Sequence, residues 1–415
     1  MGASGGGRRA CQNEILLAPI LIFAATYLVL AIGRLPWTRV DRTGAAIIGA
    51  ALMLASGTLT PQEAYAAINY DTIMLLFGMM IVVANLRLSG FFTLISEWVV
   101  EHAHRPILLL SGIVLVAGVF SAFFVNDTMC LVLTPLVIEI TTSLRRRPVP
   151  YLLAVAMASN IGSVATITGN PQNMMIGSFS RIPYRVFAAS LAPIAAVGLV
   201  LTVAVIALAY REEFRSGKEL QAAHRTVRVN RVLMWKAIAV TVAMIVFFFG
   251  GWPVPEVALI AGALLLITRR VKPEKVYREI DWSLLVLFVG LFIVIAGLEK
   301  TPVSADLFAA ASRFHLERTG PLSAFSALLS NLVSNVPAVL VFKGFVSKLP
   351  DATRAWLTLA MSSTLAGNLT ILGSVANLIV VERARREVRI GFWEYARAGV
   401  PLTILSLAAG VWILG

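Results

Sequence analysis

Apolar runs of about 20 residues recur from one end of this chain to the other, and no other feature constrains the fold as strongly. A stretch of that length crosses a bilayer as a helix, because in hydrocarbon the backbone must satisfy its own hydrogen bonds. Soluble domains are about half apolar and about a quarter charged, whereas 58% of these 415 residues are hydrophobic and 14% are charged. The pattern predicts an all-α polytopic membrane protein, multi-pass in a plasma (inner) membrane. Length and flanking charge place apolar segments at 15–33, 43–58, 72–90, 106–125, 127–143, 152–178 and 185–210. A second series follows at 232–250, 254–269, 282–299, 321–334, 336–347, 354–380 and 392–414.

The net charge of +13 would suit a nucleic-acid partner, but the basic residues sit between apolar spans without interleaved aromatics. They read as loops held in the cytoplasm, and no nucleic-acid partner is expected. Cys11 and Cys130 fall in a tail and in an apolar segment, so no structural disulfide is expected. The first apolar run continues as a full span and reads as a retained helix, not a signal peptide. Neither a nucleophile–base pair, nor a metal motif, nor a phosphate loop is present, so the chain does not read as an enzyme and implies no cofactor or metal.

The chain repeats itself. "FGMMIVVANL" from Phe77 aligns with "VGLFIVIAGL" from Val289, and "FFVNDTMCLVL" aligns with "LVSNVPAVLVF", pairing Asn126 with Asn335. Asn160 in "ASNIGS" pairs with Asn368 in "LAGNLT", and "GNPQN" from Gly169 pairs with "GSVAN" from Gly373. The order of the four blocks agrees, while the offset falls only from 212 to 204. The expected domains are a first repeat at 1–210, a polar cytoplasmic linker at 211–231 and a second repeat at 232–415.

The polar pair Asn126-Asp127 alone marks the junction of 106–125 with 127–143, and charged residues flank the two segments on both sides ("EHAHR" before, Arg145 to Arg147 after). That fits a re-entrant hairpin, which leaves five spans and one hairpin per half. Five is odd, so the second half should be inverted. On this path one side carries 23 of the 35 Lys and Arg residues and the other carries 10. The richer side is cytoplasmic, with both termini outside. The architecture expected is about 10 transmembrane helices plus two re-entrant hairpins and two broken helices.

"ITGNPQNMMIG", Ile167 to Gly177, interrupts an otherwise apolar span with residues that break helices or carry amides. Non-helical backbone at membrane depth is tolerated where protein buries it or a wet cavity receives it, and inverted repeats with broken helices are the usual plan of secondary transporters. The hairpin tips and the breaks at 160–173 and 368–377 should therefore converge on a substrate site. Candidate binding residues are Asn126, Thr128, Asn160, Ser163, Thr166, Gly169, Asn170 and Asn173 in one half. Ser334, Asn335, Asn368, Thr370, Gly373, Ser374 and Asn377 are their counterparts in the other. Glycine lets the chain leave helical geometry, and Pro171 and Pro337 each remove a donor.

A carboxylate at the bilayer centre costs roughly 3 kcal/mol on insertion scales, so Asp127 is the candidate for coupling to a proton or cation. It could also cap the following helix. Val336 stands at the equivalent place in the second half. No Lys or Arg falls at the expected midplane, and a ring of amides and hydroxyls suits a small polyhydroxylated solute.

"NDTMCLVLTP", "SNIGSVATITGNPQN" and "AGNLTILGSVAN" resemble the ion-transporter superfamily that contains arsenite permeases (ArsB), NhaD-type sodium/proton antiporters, citrate carriers and plant silicon efflux transporters. The wording is most similar to the silicon effluxers and arsenite permeases, and the likeness spans nearly the whole chain. It implies an elevator-type transporter in which elements 106–178 and 321–380 move against a scaffold made by the remaining helices. The dicarboxylate branch carries Ser-Asn-Thr at its sodium sites. Here Ser159-Asn160 is followed by Ile161 and Ser334-Asn335 by Val336, so sodium coupling in that style is not expected.

The function expected is proton-coupled efflux of a small inorganic oxyacid, silicic acid or arsenite/antimonite, with a homodimer as a further expectation. The alternatives are a sodium/proton antiporter, a sodium-coupled citrate or dicarboxylate carrier, and a channel or receptor without coupled flux.

Overall fold

Helices make up nearly all of a computed structural model that describes residues 5–33, 38–215, 229–268, 271–301 and 313–415. The first ten are α1 (Gly5–Ile32), α2 (Arg42–Ala55), α3 (Pro61–Ala67), α4 (Tyr70–Ser89), α5 (Phe91–His102), α6 (Pro106–Phe123), α7 (Asn126–Ser143), α8 (Pro148–Ser163), α9 (Pro171–Ser180) and α10 (Tyr184–Ala209). The others are α11 (Arg211–Arg215), α12 (Arg231–Phe249), α13 (Val254–Leu266), α14 (Pro273–Tyr277), α15 (Trp282–Glu299), α16 (Thr319–Val333), α17 (Asn335–Val346), α18 (Ala352–Leu365), α19 (Val375–Ala384) and α20 (Phe392–Leu414).

Six of these helices, α4, α6, α10, α12, α15 and α20, are long and apolar enough to cross a membrane. The expected segments near 43–58 and 254–269 form shorter apolar helices, α2 and α13. Most of the expected linker lies outside the described residues, Lys218 included. Its start forms α11, where Glu213 pairs with Arg146 at 2.7 Å and accepts from the Tyr151 hydroxyl at 3.3 Å. That buried ion pair fastens the end of the first half to the exit of the hairpin 106–143.

Small residues decide where the long helices cross. A Cβ on Gly78 of α4 would lie 2.5 Å from the Ala258 carbonyl carbon of α13. A Cβ on Gly290 of α15 would lie 2.8 Å from the Ala46 carbonyl carbon of α2. Gly78 and Gly290, like Ala46 and Ala258, stand 212 residues apart, so one backbone contact is built twice. Close approach of this kind substitutes for the hydrophobic drive that lipid cannot supply between helices.

Charged residues close the assembly at the helix ends. Lys300 reaches Glu63 at 2.7 Å and the Thr58 carbonyl at 3.2 Å. Near the start of α15 Glu279 pairs with Arg87 at the end of α4, where the Asn230 N–H also meets the Ser89 carbonyl at 3.0 Å.

Two helix pairs turn back within a few residues. Phe124 and Val125 join α6 to α7, and Ser334 alone joins α16 to α17. Their tips are not solvent turns, because Asn126 is 3% exposed and Asn335 is 8% exposed. Each tip ends against a helix that is interrupted midway. The first helix stops at Ser163, passes through a single 3-10 turn (Ile167–Gly169) and resumes at Pro171. The second stops at Leu365, passes through 3-10 turns at Ala366–Asn368 and Ile371–Gly373, and resumes at Val375.

Candidate functional site

The two interruptions have the same local cause. Thr166 (φ −140°, ψ 166°) and Asn170 (φ −156°, ψ 162°) are extended residues on either side of the first 3-10 turn. Thr370 (φ −136°, ψ 163°) and Ser374 (φ −144°, ψ 142°) bracket its counterpart. The chain then folds back so tightly that a Cβ on Gly169 would meet the Ser163 carbonyl at 2.2 Å. On Gly373 it would meet Asn331 Oδ1 at 2.7 Å and the Gly367 carbonyl at 2.9 Å.

An asparagine staples each break. Asn173 donates to the Ser163 carbonyl and the Thr166 carbonyl, both at 3.0 Å. Asn377 donates to the Gly367 carbonyl at 2.7 Å and the Thr370 carbonyl at 3.0 Å. Each break thereby recovers carbonyls that the interrupted helix leaves unpaired. Asn170 also caps α9 by accepting the Asn173 N–H at 2.8 Å, and donates to Ser163 Oγ at 2.9 Å. Ser374 caps α19 through the Ala376 N–H at 3.3 Å.

Asn160 joins the two halves. Its Nδ2 donates to Asn368 Oδ1 at 2.9 Å and Asn377 Oδ1 at 3.0 Å. Its Oδ1 accepts from Asn126 Nδ2 and Ser374 Oγ, both at 3.0 Å. Asn368 passes the chain on to the Met157 carbonyl at 3.3 Å. Hydroxyls complete the surrounds, with Thr166 donating to the Ala122 carbonyl and meeting Thr168, which bonds the Tyr184 hydroxyl at 3.0 Å.

In front of this network lies a cavity of about 70 Å³. Asn126, Asp127, Ser334, Asn335 and Ser374 line it, together with Pro171, Gln172, Val336 and Val375. Leu30 of α1, Arg42 of α2 and Leu284, Leu287 and Phe288 of α15 form the opposite wall. Four helices begin at this cavity, α7 at Asn126, α9 at Pro171, α17 at Asn335 and α19 at Val375. Each directs the positive end of a helix dipole toward it. Two buried acceptors on its wall, Asn126 Oδ1 and Asn335 Oδ1, have no protein partner.

Of the residues anticipated from the sequence, Asn126, Asp127, Ser334, Asn335 and Ser374 face the cavity. Asn160, Ser163, Thr166, Gly169, Asn170, Asn173, Asn368, Gly373 and Asn377 instead form the buried layer that shapes it. Thr370 meets Asn331 at 3.5 Å in that layer, and Thr128 is half-buried on α7 without lining the cavity. Asp127 does not act as a side-chain cap on its own helix. It lines the cavity at the first-half hairpin tip, beside Asn126 and across from Ser374 and Val375 at the start of α19.

Arg42 is the residue that sequence reasoning missed. It reads as a loop cation in the sequence, yet it begins α2, is half-buried and reaches the cavity wall. Asp41, which caps α2 through the Gly44 N–H at 2.8 Å, was the only local hint that a helix begins there. His102, on the surface of α5, bonds the Trp98 carbonyl at 2.8 Å. Among the described residues no cluster of His, Cys, Asp and Glu could hold a metal. A second cavity of about 330 Å³ lies between Asp71, Arg181, Tyr184 and Trp252 at the opposite ends of the helices.

Residues 27–366 match the protein family described as CitMHS, citrate transporter. The silicon efflux transporter LSI3 of Oryza sativa subsp. japonica is 30% identical, over 95% of this chain and 96% of that protein. The Dictyostelium discoideum protein designated transporter arsB is 24% identical, over 90% of this chain and 87% of its own length. The crystal structure of the YdaH transporter of Alcanivorax borkumensis, described as having an unusual topology, has a TM-score of 0.58 to this chain. It covers 97% of this chain and 96% of its own at 14% identity, a likeness that carries the fold alone.

Proposed function

Starting from the premise that this chain belongs to the CitMHS family within the ion-transporter superfamily and is a secondary transporter, we propose that it exports a small inorganic oxyacid, of the silicic or arsenous kind, in exchange for protons. The observation that carries the reading is the mixed demand of the cavity. Four helix N-termini present positive dipole ends, while Asn126 Oδ1 and Asn335 Oδ1 are buried acceptors without a partner. A fully ionised oxyanion would satisfy the first and leave both oxygens unpaired, at about 1–3 kcal/mol each. A protonated oxyacid donates and accepts through every hydroxyl and satisfies both.

Size supports the same class. A cavity needs about 10–15 Å³ to hold one water, so the roughly 70 Å³ here has room for a handful of waters and suits a compact oxyacid better than a tricarboxylate. The names of the silicon efflux and arsB relatives point the same way. One observation favours an organic anion instead. Arg42 on the wall, with the citrate transporter description of the family, would suit a carboxylate.

The division of labour follows from the packing. Elements 106–178 and 321–380 carry the tips and breaks and are taken as the moving unit of an elevator. The remaining helices are taken as the scaffold, in which the paired Gly78 and Gly290 crossings lock α4 to α13 and α15 to α2. The two halves are taken as an inverted repeat, and Arg42 on the cavity wall belongs to the basic set that the charge bias places on the cytoplasmic side. Asp127, the one carboxylate on the cavity wall, is taken as the proton carrier.

Flux into proteoliposomes decides among the solutes. Silicic acid or arsenite uptake that rises with an opposed pH gradient is the expected result. Citrate or sodium flux, with neither oxyacid moved, would replace this reading with the organic-anion or antiporter one.

A further inference from the structure

Asn69 and Ser178 bond each other at the end that the charge bias places outside. Asn69 Nδ2 donates to Ser178 Oγ at 2.9 Å, and the hydroxyl donates back to Asn69 Oδ1 at 3.1 Å. Asn69 also caps α4 by accepting the Thr72 N–H at 2.8 Å. The contact ties α4 to α9. The pseudosymmetry mates of these residues are Asp281 and Glu382, because α4 and α15 begin 212 positions apart and α9 and α19 begin 204 apart. Asp281 caps α15 as Asn69 caps α4, through the Leu284 N–H at 3.0 Å. Glu382, like Ser178, is the eighth residue of its helix. Asn69 and Ser178 are half-buried, whereas Asp281 and Glu382 are both exposed. The contact is made at one end and open at the other.

We propose that closing the inner end brings Asp281 against Glu382, as Asn69 lies against Ser178 here, and that the two carboxylates share a proton when they meet. The inference rests on the moving-unit reading above. An amide and a hydroxyl bond each other at any pH. Two ionised carboxylates at that distance repel, and one shared proton replaces the repulsion by a hydrogen bond. The outer latch is therefore indifferent to pH and the inner one needs acid, so a fall in cytoplasmic pH promotes the step that turns the site outward. Charged groups on the elements around Asp281 are Arg87 and Glu279, which pair with each other, Arg278, and Asp41 and Arg42 at the start of α2. Around Glu382 they are Arg383, Arg385 and Arg386, with Glu139 on α7, which packs against α19. Arg385 lies 3.7 Å from Glu382, in a pair too exposed to hold strongly.

The test needs no solute. Spin labels on Y65C and K348C, in full-length C11A protein in lipid nanodiscs, report the distance between α3 and the outer end of the second hairpin. Asp127 is replaced throughout by Asn, so that its own titration plays no part. Lowering the pH from 7.5 to 5.5 should raise the inner-closed population at least about threefold. D281N/E382S copies the outer latch onto the inner end, and both positions are exposed, so folding is spared. It should hold that raised population at both pH values, and D281N or E382S alone should flatten the response. A disulfide between D281C and E382C should form under the conditions that shift the label distance. An undiminished pH response in E382S, an unchanged population in D281N/E382S, or no such disulfide would overturn this proposal alone. A label distance that never changes would overturn it together with the moving-unit reading.

Discussion

Asn377 repeats Asn173: each donates both amide protons to carbonyls ten and seven residues back along its own chain. The two residues lie 204 positions apart, and each closes the interruption from which its helix restarts. Replacing either by Ala strands two carbonyls, at about 1–3 kcal/mol each. N173A and N377A should each lower the unfolding free energy in detergent by about 2–4 kcal/mol. Asn160, which holds Asn126, Asn368, Asn377 and Ser374 together, should behave likewise. Loss of transport in N160A with an unchanged melting temperature would contradict this structural role.

The two glycine crossings should be equally intolerant. G78A and G290A each press a methyl group into a backbone carbonyl, and overpacking costs typically about 1–3 kcal/mol. Both variants should show reduced monodispersity and a lower melting temperature, whereas G320A, with nothing near its added Cβ, should not. A wild-type melting profile in G78A would refute the close approach.

Asp127→Asn keeps size and hydrogen-bonding capacity but cannot titrate. It should still exchange labelled solute at equal concentrations across the membrane and lose accumulation driven by a pH gradient. Paired exchange and gradient assays in proteoliposomes read this out, and gradient-driven uptake that survives would move the proton elsewhere.

Ser334 sits at φ 80° and ψ 157°, a region essentially reserved for glycine that costs about 1–3 kcal/mol for other residues. Its counterpart in the first hairpin, Val125, is relaxed at φ −56° and ψ 121°. S334G should therefore gain about 1 kcal/mol in stability, and S334A, which keeps the strain, should not. Denaturant melts of the pair check the difference. Equal stability of S334G and S334A would remove the argument for strain at this tip.

What the sequence determined by itself was everything written in local composition or in self-similarity. Apolar length placed the spans, Gly169 and Pro171 announced the first break, and four aligned blocks paired Asn126 with Asn335 and Asn160 with Asn368. Tertiary structure alone decided which of those amides face the cavity. Along the chain Asn160 reads equally as a ligand or a strut, and only the fold commits its amide protons to Asn368 and Asn377, more than 200 residues away. Arg42 reads as a loop cation until α2 is set against the hairpin tips. Asp127 has no sequence neighbour that would set it on one cavity with Ser374 and Val375, because that juxtaposition exists only where one half's hairpin meets the other half's broken helix. Hydropathy and turn chemistry act over a few residues and can be read along the chain. The partner that satisfies a buried polar atom is chosen by the packing of distant segments.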